Sequence, residues 1–133
     1  MRDTLDACTL IALFANEEGA EIVSDLLTSR SEVSITAINA CEVFYEIERK
    51  LGVENANIAL RRILWFGIEI IDEIGPTIWK EAAHLKAKYR RLSLADAIGV
   101  AYSKKNRSLF VTSDHKELEP LAKDHVCKFL FFR

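Results

Sequence analysis

Short β-rich runs alternate with longer helical runs along this chain, and that order leaves few folds open to it. Thr4–Cys8 reads as a short strand leading into a helical run over Thr9–Ala15. Val33–Thr36, Ile68–Ile71, Leu109–Thr112 and Lys128–Phe132 read as further strands. Helices are predicted over Glu18–Ser29, Ala37–Leu51, Asn55–Phe66, Pro76–Arg91, Leu94–Lys105 and Asp114–Lys123. Thr36 and Ser93 are good N-caps, Gly52 a natural stop, and Pro76 fits a first helical position. Strands alternating with helices predict an α/β fold, with a central parallel sheet of four to five strands flanked by helices on both faces. In such sheets ligands gather beyond the carboxyl ends of the strands.

The 133 residues suit one domain, spanning 1–133, with no linker-like or repeated segment. Apolar residues make up 50% and charged residues 29%, which excludes a disordered chain and a collagen. Three cysteines, Cys8, Cys41 and Cys127, are too few and too widely spaced for a disulfide scaffold, and read as free thiols in a reducing compartment. His115, His125 and Cys127 lack the spacing of a zinc site. The longest apolar run, Ala7–Ala15, is too short to cross a bilayer. Asp3 and Asp6 precede it, the reverse of a secretory signal, so a cytoplasmic protein with no membrane partner is expected.

Charge is unevenly spread. Residues 1–60 hold four Lys/Arg against eleven acids, whereas residues 80–107 hold eight Lys/Arg against two acids. Two oppositely charged solvated faces would give this pattern, and so would a polyanion partner for the basic half.

Four acids fit their surroundings poorly. Asp6 lies in an apolar strand-like run, unless that strand begins later and leaves it exposed. Asp96 is the only charge in Leu94–Tyr102, a run that reads as a buried helix, although it also stands where a capping box with Ser93 would put it. Asp114 falls just past a strong strand and is equally placed to cap the next helix. Glu42 shares a polar helix edge with Glu46, and periodicity does not separate the two. Gathered at one sheet end, such acids would repel by roughly 3 kcal/mol per pair at ~5 Å and an effective dielectric near 20. A hard divalent cation with oxygen preference, Mg²⁺ or Mn²⁺, would resolve that repulsion.

An all-carboxylate site of this kind suits phosphodiester hydrolysis without a protein nucleophile. Lys86, Lys88, Arg90, Arg91, Lys104 and Lys105 would then contact the phosphates of a nucleic-acid strand. No Gly-rich phosphate loop, Gly-x-Ser-x-Gly elbow or Asp-x-Asp phosphatase pair is present. A non-catalytic module binding RNA or protein, a DNA-directed nuclease and a phosphatase of similar architecture remain the alternatives.

Four segments resemble the motifs of PIN-domain proteins of the VapC toxin type: Leu5–Leu13, Asn39–Ile47, Leu92–Ile98 and Val111–Asp114. The similarity runs from about residue 4 to the end of the chain. The resemblance implies a single PIN-like domain and a Mg²⁺- or Mn²⁺-dependent ribonuclease. It implies Asp6, Glu42, Asp96 and Asp114 as the catalytic, metal-holding acids, favouring Glu42 over Glu46. Thr112 would orient a carboxylate or water. A cognate antitoxin protein and a homodimer are the implied partners. Two departures stand out: Cys8 occupies a position where Ser or Thr is common, and Arg2, Asp3 and Thr4 replace apolar residues of the first strand.

Overall fold

Each predicted strand finds a place in a single sheet. In a computed structural model describing residues 2–29 and 32–133, the strands are β1 (Arg2–Leu5), β2 (Glu32–Thr36), β3 (Glu69–Ile71), β4 (Leu109–Thr112) and β5 (Lys128–Phe131). Arg30, counted above among the bases of the first half, lies outside the described residues. All the pairings are parallel, in the order β3-β2-β1-β4-β5. The helices between them are α1 (Ala7–Phe14), α2 (Ala20–Ser29), α3 (Ala37–Leu51), α4 (Val53–Trp65), α5 (Pro76–Lys88), α6 (Leu94–Asn106) and α7 (His115–Lys123). Among the described residues, no helix is long and apolar enough to cross a membrane.

The local signals act as their chemistry requires. The Thr36 hydroxyl accepts from the Asn39 amide at 3.3 Å and starts α3. Gly52, at φ 90°, ends α3 and opens α4, a conformation other residues adopt only with strain. Pro76 sits in the first turn of α5, where its missing N–H costs nothing.

The first strand differs from expectation. It occupies Arg2–Leu5 rather than Thr4–Cys8, so Asp6 follows the strand and N-caps α1 instead of lying inside it. Asp3 and Thr4 are buried nonetheless, and the Thr4 hydroxyl meets the Ser108 hydroxyl at 2.7 Å. The chain leaves β1 towards β2 on one side and reaches β4 on the other, so β1 and β4 meet at the topological switch point, where α/β sheets open a crevice.

Two cores cover the faces of the sheet. One gathers α1 to α4 around Leu5, Ile35 and Val111; the other gathers α5 to α7 around Leu92, Phe110 and Leu118. Phe110 and Val111 are neighbours in β4 and enter opposite cores, as strand alternation demands. At the centre, α6 comes so close to the sheet that a Cβ on Gly99 would lie 2.7 Å from Cε1 of Phe110 and 3.0 Å from Nδ2 of Asn39.

That contact is testable. Gly99→Ala should overpack the second core and lower stability by about 1–3 kcal/mol, read from urea unfolding midpoints at unchanged slope.

Candidate metal centre

The carboxyl ends of β1 and β4 place the first side chains. The Asp6 amide donates to the Val111 carbonyl at 2.9 Å, extending the β1–β4 ladder by one residue and fixing the Asp6 backbone. The Thr112 hydroxyl, wholly buried, donates to Asp6 Oδ2 at 2.7 Å and accepts from the Asp114 amide at 3.0 Å. Cys8 Sγ lies 3.7 Å from the same hydroxyl and accepts from the Ser113 amide at 3.3 Å. Burial pushes the Cys8 thiol up to about 12, with the Asp6 charge adding to it, so Cys8 stays neutral and serves as a weak hydrogen-bonding spacer.

From the first turn of α6, Asp96 approaches Asp6 closely enough for their carboxyl groups to hydrogen-bond. Burial raises both above the ordinary carboxyl range, and for Asp96 the Asp6 charge adds to the effect. The capping box expected at Ser93 is completed differently. Ser93 Oγ accepts from the Asp96 amide at 3.2 Å, but the Ser93 amide donates to Glu117 Oε1 at 2.7 Å. A carboxylate from α7 thus does the capping, and the Asp96 carboxyl is left for the cluster.

Glu117 is the residue sequence reasoning missed. Oxygens of Asp96, Asp114 and Glu117 lie within 4.8 Å of one another. Asp114 caps α7, its Oδ1 accepting from the Glu117 amide at 2.9 Å, so it is both the helix cap and a member of the cluster. The signal was present: an acid three residues after an acidic N-cap falls on the same helix face. Burial raises Glu117, and the Asp114 and Asp6 charges add to that, while the Ser93 amide opposes it.

Glu42, half-buried on α3, is raised by burial first and then by the charges of Asp6 and Glu46. The Tyr45 hydroxyl donates to Glu42 Oε1 at 3.5 Å, whereas Glu46 pairs with Arg49 at 3.3 Å. The two acids that periodicity left together therefore separate, Glu42 towards Asp6 and Glu46 towards a surface cation. Among the described residues no Lys or Arg pairs with Asp6, Glu42, Asp96, Asp114 or Glu117. This donor set is oxygen alone, crowded and uncompensated, which fits a hard divalent cation.

The basic residues divide. Lys86, Lys88, Arg90 and Arg91 occupy the end of α5 and the turn leading to Asp96. Lys104 and Lys105 lie at the far end of α6, where Lys104 pairs with Glu81 at 2.7 Å.

Fold and acids together define a parallel α/β protein with an acidic centre at the switch point of its sheet. The family description "PIN domain" matches residues 4–123, and the chain belongs to that family. Comparison with curated proteins finds no match. Solved structures of similar fold include a toxin–antitoxin complex from Klebsiella pneumoniae, with 21% identity, 98% of each chain covered and a TM-score of 0.73. A DNA-bound VapBC from Salmonella typhimurium has 17% identity over 100% of this chain and 99% of that one, with a TM-score of 0.76. Mycobacterium tuberculosis VapC20, described as a sarcin-ricin loop cleaving toxin, has 17% identity over 81% of this chain and 86% of its own, with a TM-score of 0.70.

A raised carboxyl has a definite consequence for stability. Asp96 contributes fully to folding only below its ordinary value of 3.8, and the contribution is lost as pH rises through the higher folded value. Asp96→Asn should therefore melt at a higher temperature than the parent in metal-free buffer at pH 8. The gap should close as pH falls towards 4, followed by thermal melts across that range.

Proposed function

We propose that this chain is a Mg²⁺- or Mn²⁺-dependent ribonuclease that hydrolyses RNA phosphodiester bonds as the toxin of a toxin–antitoxin pair. The observation that carries this reading is the convergence of Asp6, Glu42, Asp96, Asp114 and Glu117 on one crevice with no cation among their protein partners. The toxin descriptions of its structural neighbours support it, VapC20 most directly.

Each acid has a role suited to its setting. Asp6, Asp96, Asp114 and Glu117 would hold the cation, with Thr112 keeping Asp6 turned towards it. When bound, the ion would lower the pKa of a water molecule and offset charge on the phosphoryl oxygens. Glu42, less buried and raised in part by the Asp6 charge, would take the proton that the attacking water gives up. Water oxygen joins phosphorus, one P–O ester bond breaks, and the leaving oxygen gains a proton. Lys86, Lys88, Arg90 and Arg91 would contact the RNA backbone beside the crevice. Lys104 and Lys105 would meet RNA only on a substrate long enough to run the length of α6.

Large exposed apolar side chains, Trp65 and Leu64 at the end of α4 and Trp79 on α5, offer surface for the antitoxin and for a second copy of the chain. A cytoplasmic setting suits an RNA substrate.

Asp6→Asn and Asp96→Asn should each lower RNA cleavage at least about 100-fold while keeping the native circular dichroism spectrum. Full cleavage by both variants, or cleavage untouched by chelators, overturns the proposal. RNA binding without cleavage under any divalent ion would favour a non-catalytic module. At ten times its dissociation constant Mg²⁺ should add about 1.4 kcal/mol of stability, read as a melting shift of a few degrees. Asp96→Asn should lose most of that shift.

A further inference from the structure

The acidic centre has two unlike walls. Helix α3 packs in the core that holds Leu5 and Val111, whereas α5 and α6 pack in the core on the other sheet face, so the crevice opens between them. The wall at the α5–α6 turn carries Lys86, Lys88, Arg90 and Arg91. The α3 wall is different. Ile38, Cys41, Glu42, Tyr45 and Arg49 recur at intervals of three and four residues and share one helix face. Ile38 and Tyr45 are 42% and 40% exposed, and Glu42 stands between them.

The Tyr45 hydroxyl donates to Glu42 Oε1 at 3.5 Å, and the Arg49 guanidinium lies 4.9 Å from the centre of the Tyr45 ring. Pairs of this spacing are common on helix surfaces. Two observations give this one a further use. Arg49 already has its countercharge, Glu46 at 3.3 Å, so the ring is not needed to hold it. Ile38 stands one turn to the other side of Glu42, so exposed hydrocarbon brackets an acid of the candidate centre. A phosphodiester seated at that centre carries a nucleoside on each side, and its bases must lie against one wall or the other. The cations of the α5–α6 turn suit the backbone. A half-exposed ring with an Arg beside it suits an unpaired base, which stacks on aromatic faces and guanidinium planes.

We infer that Tyr45 is a base-contacting residue: its ring stacks on an unpaired nucleobase next to the scissile phosphate, and Arg49 extends the contact. The inference rests on the ribonuclease reading and adds an orientation to it, with the RNA backbone towards the α5–α6 turn and a base towards α3. Tyr45 lies about 4.5 Å from Glu42 along α3 at ~1.5 Å per residue, within the reach of one nucleotide. Stacking accepts every base, so the ring sets where one nucleotide sits and not which nucleotide it is.

The test measures binding of the full chain to decauridylate and to an abasic ribose-phosphate strand of the same length, by fluorescence anisotropy. Ca²⁺ replaces Mg²⁺, so that an oxygen-seeking dication offsets the crevice charge while binding is read apart from cleavage. The parent should prefer decauridylate. Tyr45→Ala, with a native circular dichroism spectrum, should weaken decauridylate binding at least about fivefold and leave the abasic strand unaffected. Tyr45→Phe keeps the ring, drops the bond to Glu42 and should bind as the parent does. In cleavage with Mg²⁺, Tyr45→Ala should raise KM while kcat is largely kept. A role exerted through Glu42 would instead lower kcat in Tyr45→Phe and Tyr45→Ala alike, and overturns the inference. So does a parent that binds neither strand or both equally, or a Tyr45→Ala variant that loses both strands equally or neither. A change of oligomeric state in Tyr45→Ala, read by sedimentation, marks the face as an interface between copies and overturns it too. A parent that shows the expected binding pattern yet cleaves nothing keeps the inference and fails the catalytic reading alone.

Discussion

Carboxylates pressed together where β1 and β4 end are the constraint that the surrounding structure answers. Asp6 and Asp96 are within hydrogen-bonding reach, and Asp96, Asp114 and Glu117 crowd within 4.8 Å. Asp6 and Asp96 are buried from solvent, and among the described residues no cationic side chain pairs with the cluster, so the backbone does part of the work. Amides of Ser93 and Glu117 donate to Glu117 and Asp114, at the starts of α6 and α7. Two helix N-termini thus present partial positive charge to the same crevice. Their dipoles temper the repulsion without cancelling it, and the remainder would favour a cation in the crevice.

Much of the architecture is written in local chemistry. Thr36, Gly52, Pro76 and Ser93 each mark a helix boundary by a mechanism that acts within a few residues, and the structure has boundaries there. The parallel sheet follows from the alternation of elements. The first strand is harder to read because burial there is polar: Asp3 and Thr4 sit inside the sheet, where a hydropathy pattern places the strand further along the chain. Tertiary context overrides pattern at such a position.

The acidic centre was legible in part, for a similar reason. Asp6, Asp96 and Asp114 stand out because they interrupt or follow apolar runs. Glu117 does not, since it sits on an ordinary polar helix face, and its partner, the Ser93 amide, is 24 residues away in sequence. The same long-range bond explains why a capping box inferred from Ser93 and Asp96 was only half right. Glu42 and Glu46 were indistinguishable by periodicity because the choice depends on where Arg49 and Asp6 lie, and no local rule carries that. Basic residues close in composition were likewise divided by the antiparallel run of α5 and α6, which sends Arg90 and Lys104 to opposite ends.

One buried hydroxyl gives the centre a direction. An amide can only donate, so the Asp114 N–H obliges the Thr112 oxygen to accept, and the hydroxyl's single hydrogen must then go to Asp6. That oxygen of Asp6 is kept as an acceptor, and the bond from Thr112 favours the charged form of Asp6. Position 112 therefore needs a group that gives one hydrogen and spares one lone pair in very little volume. Among short side chains serine and threonine do both strongly and cysteine only weakly, so the vocabulary of this position is set by polarity of bonding as much as by size.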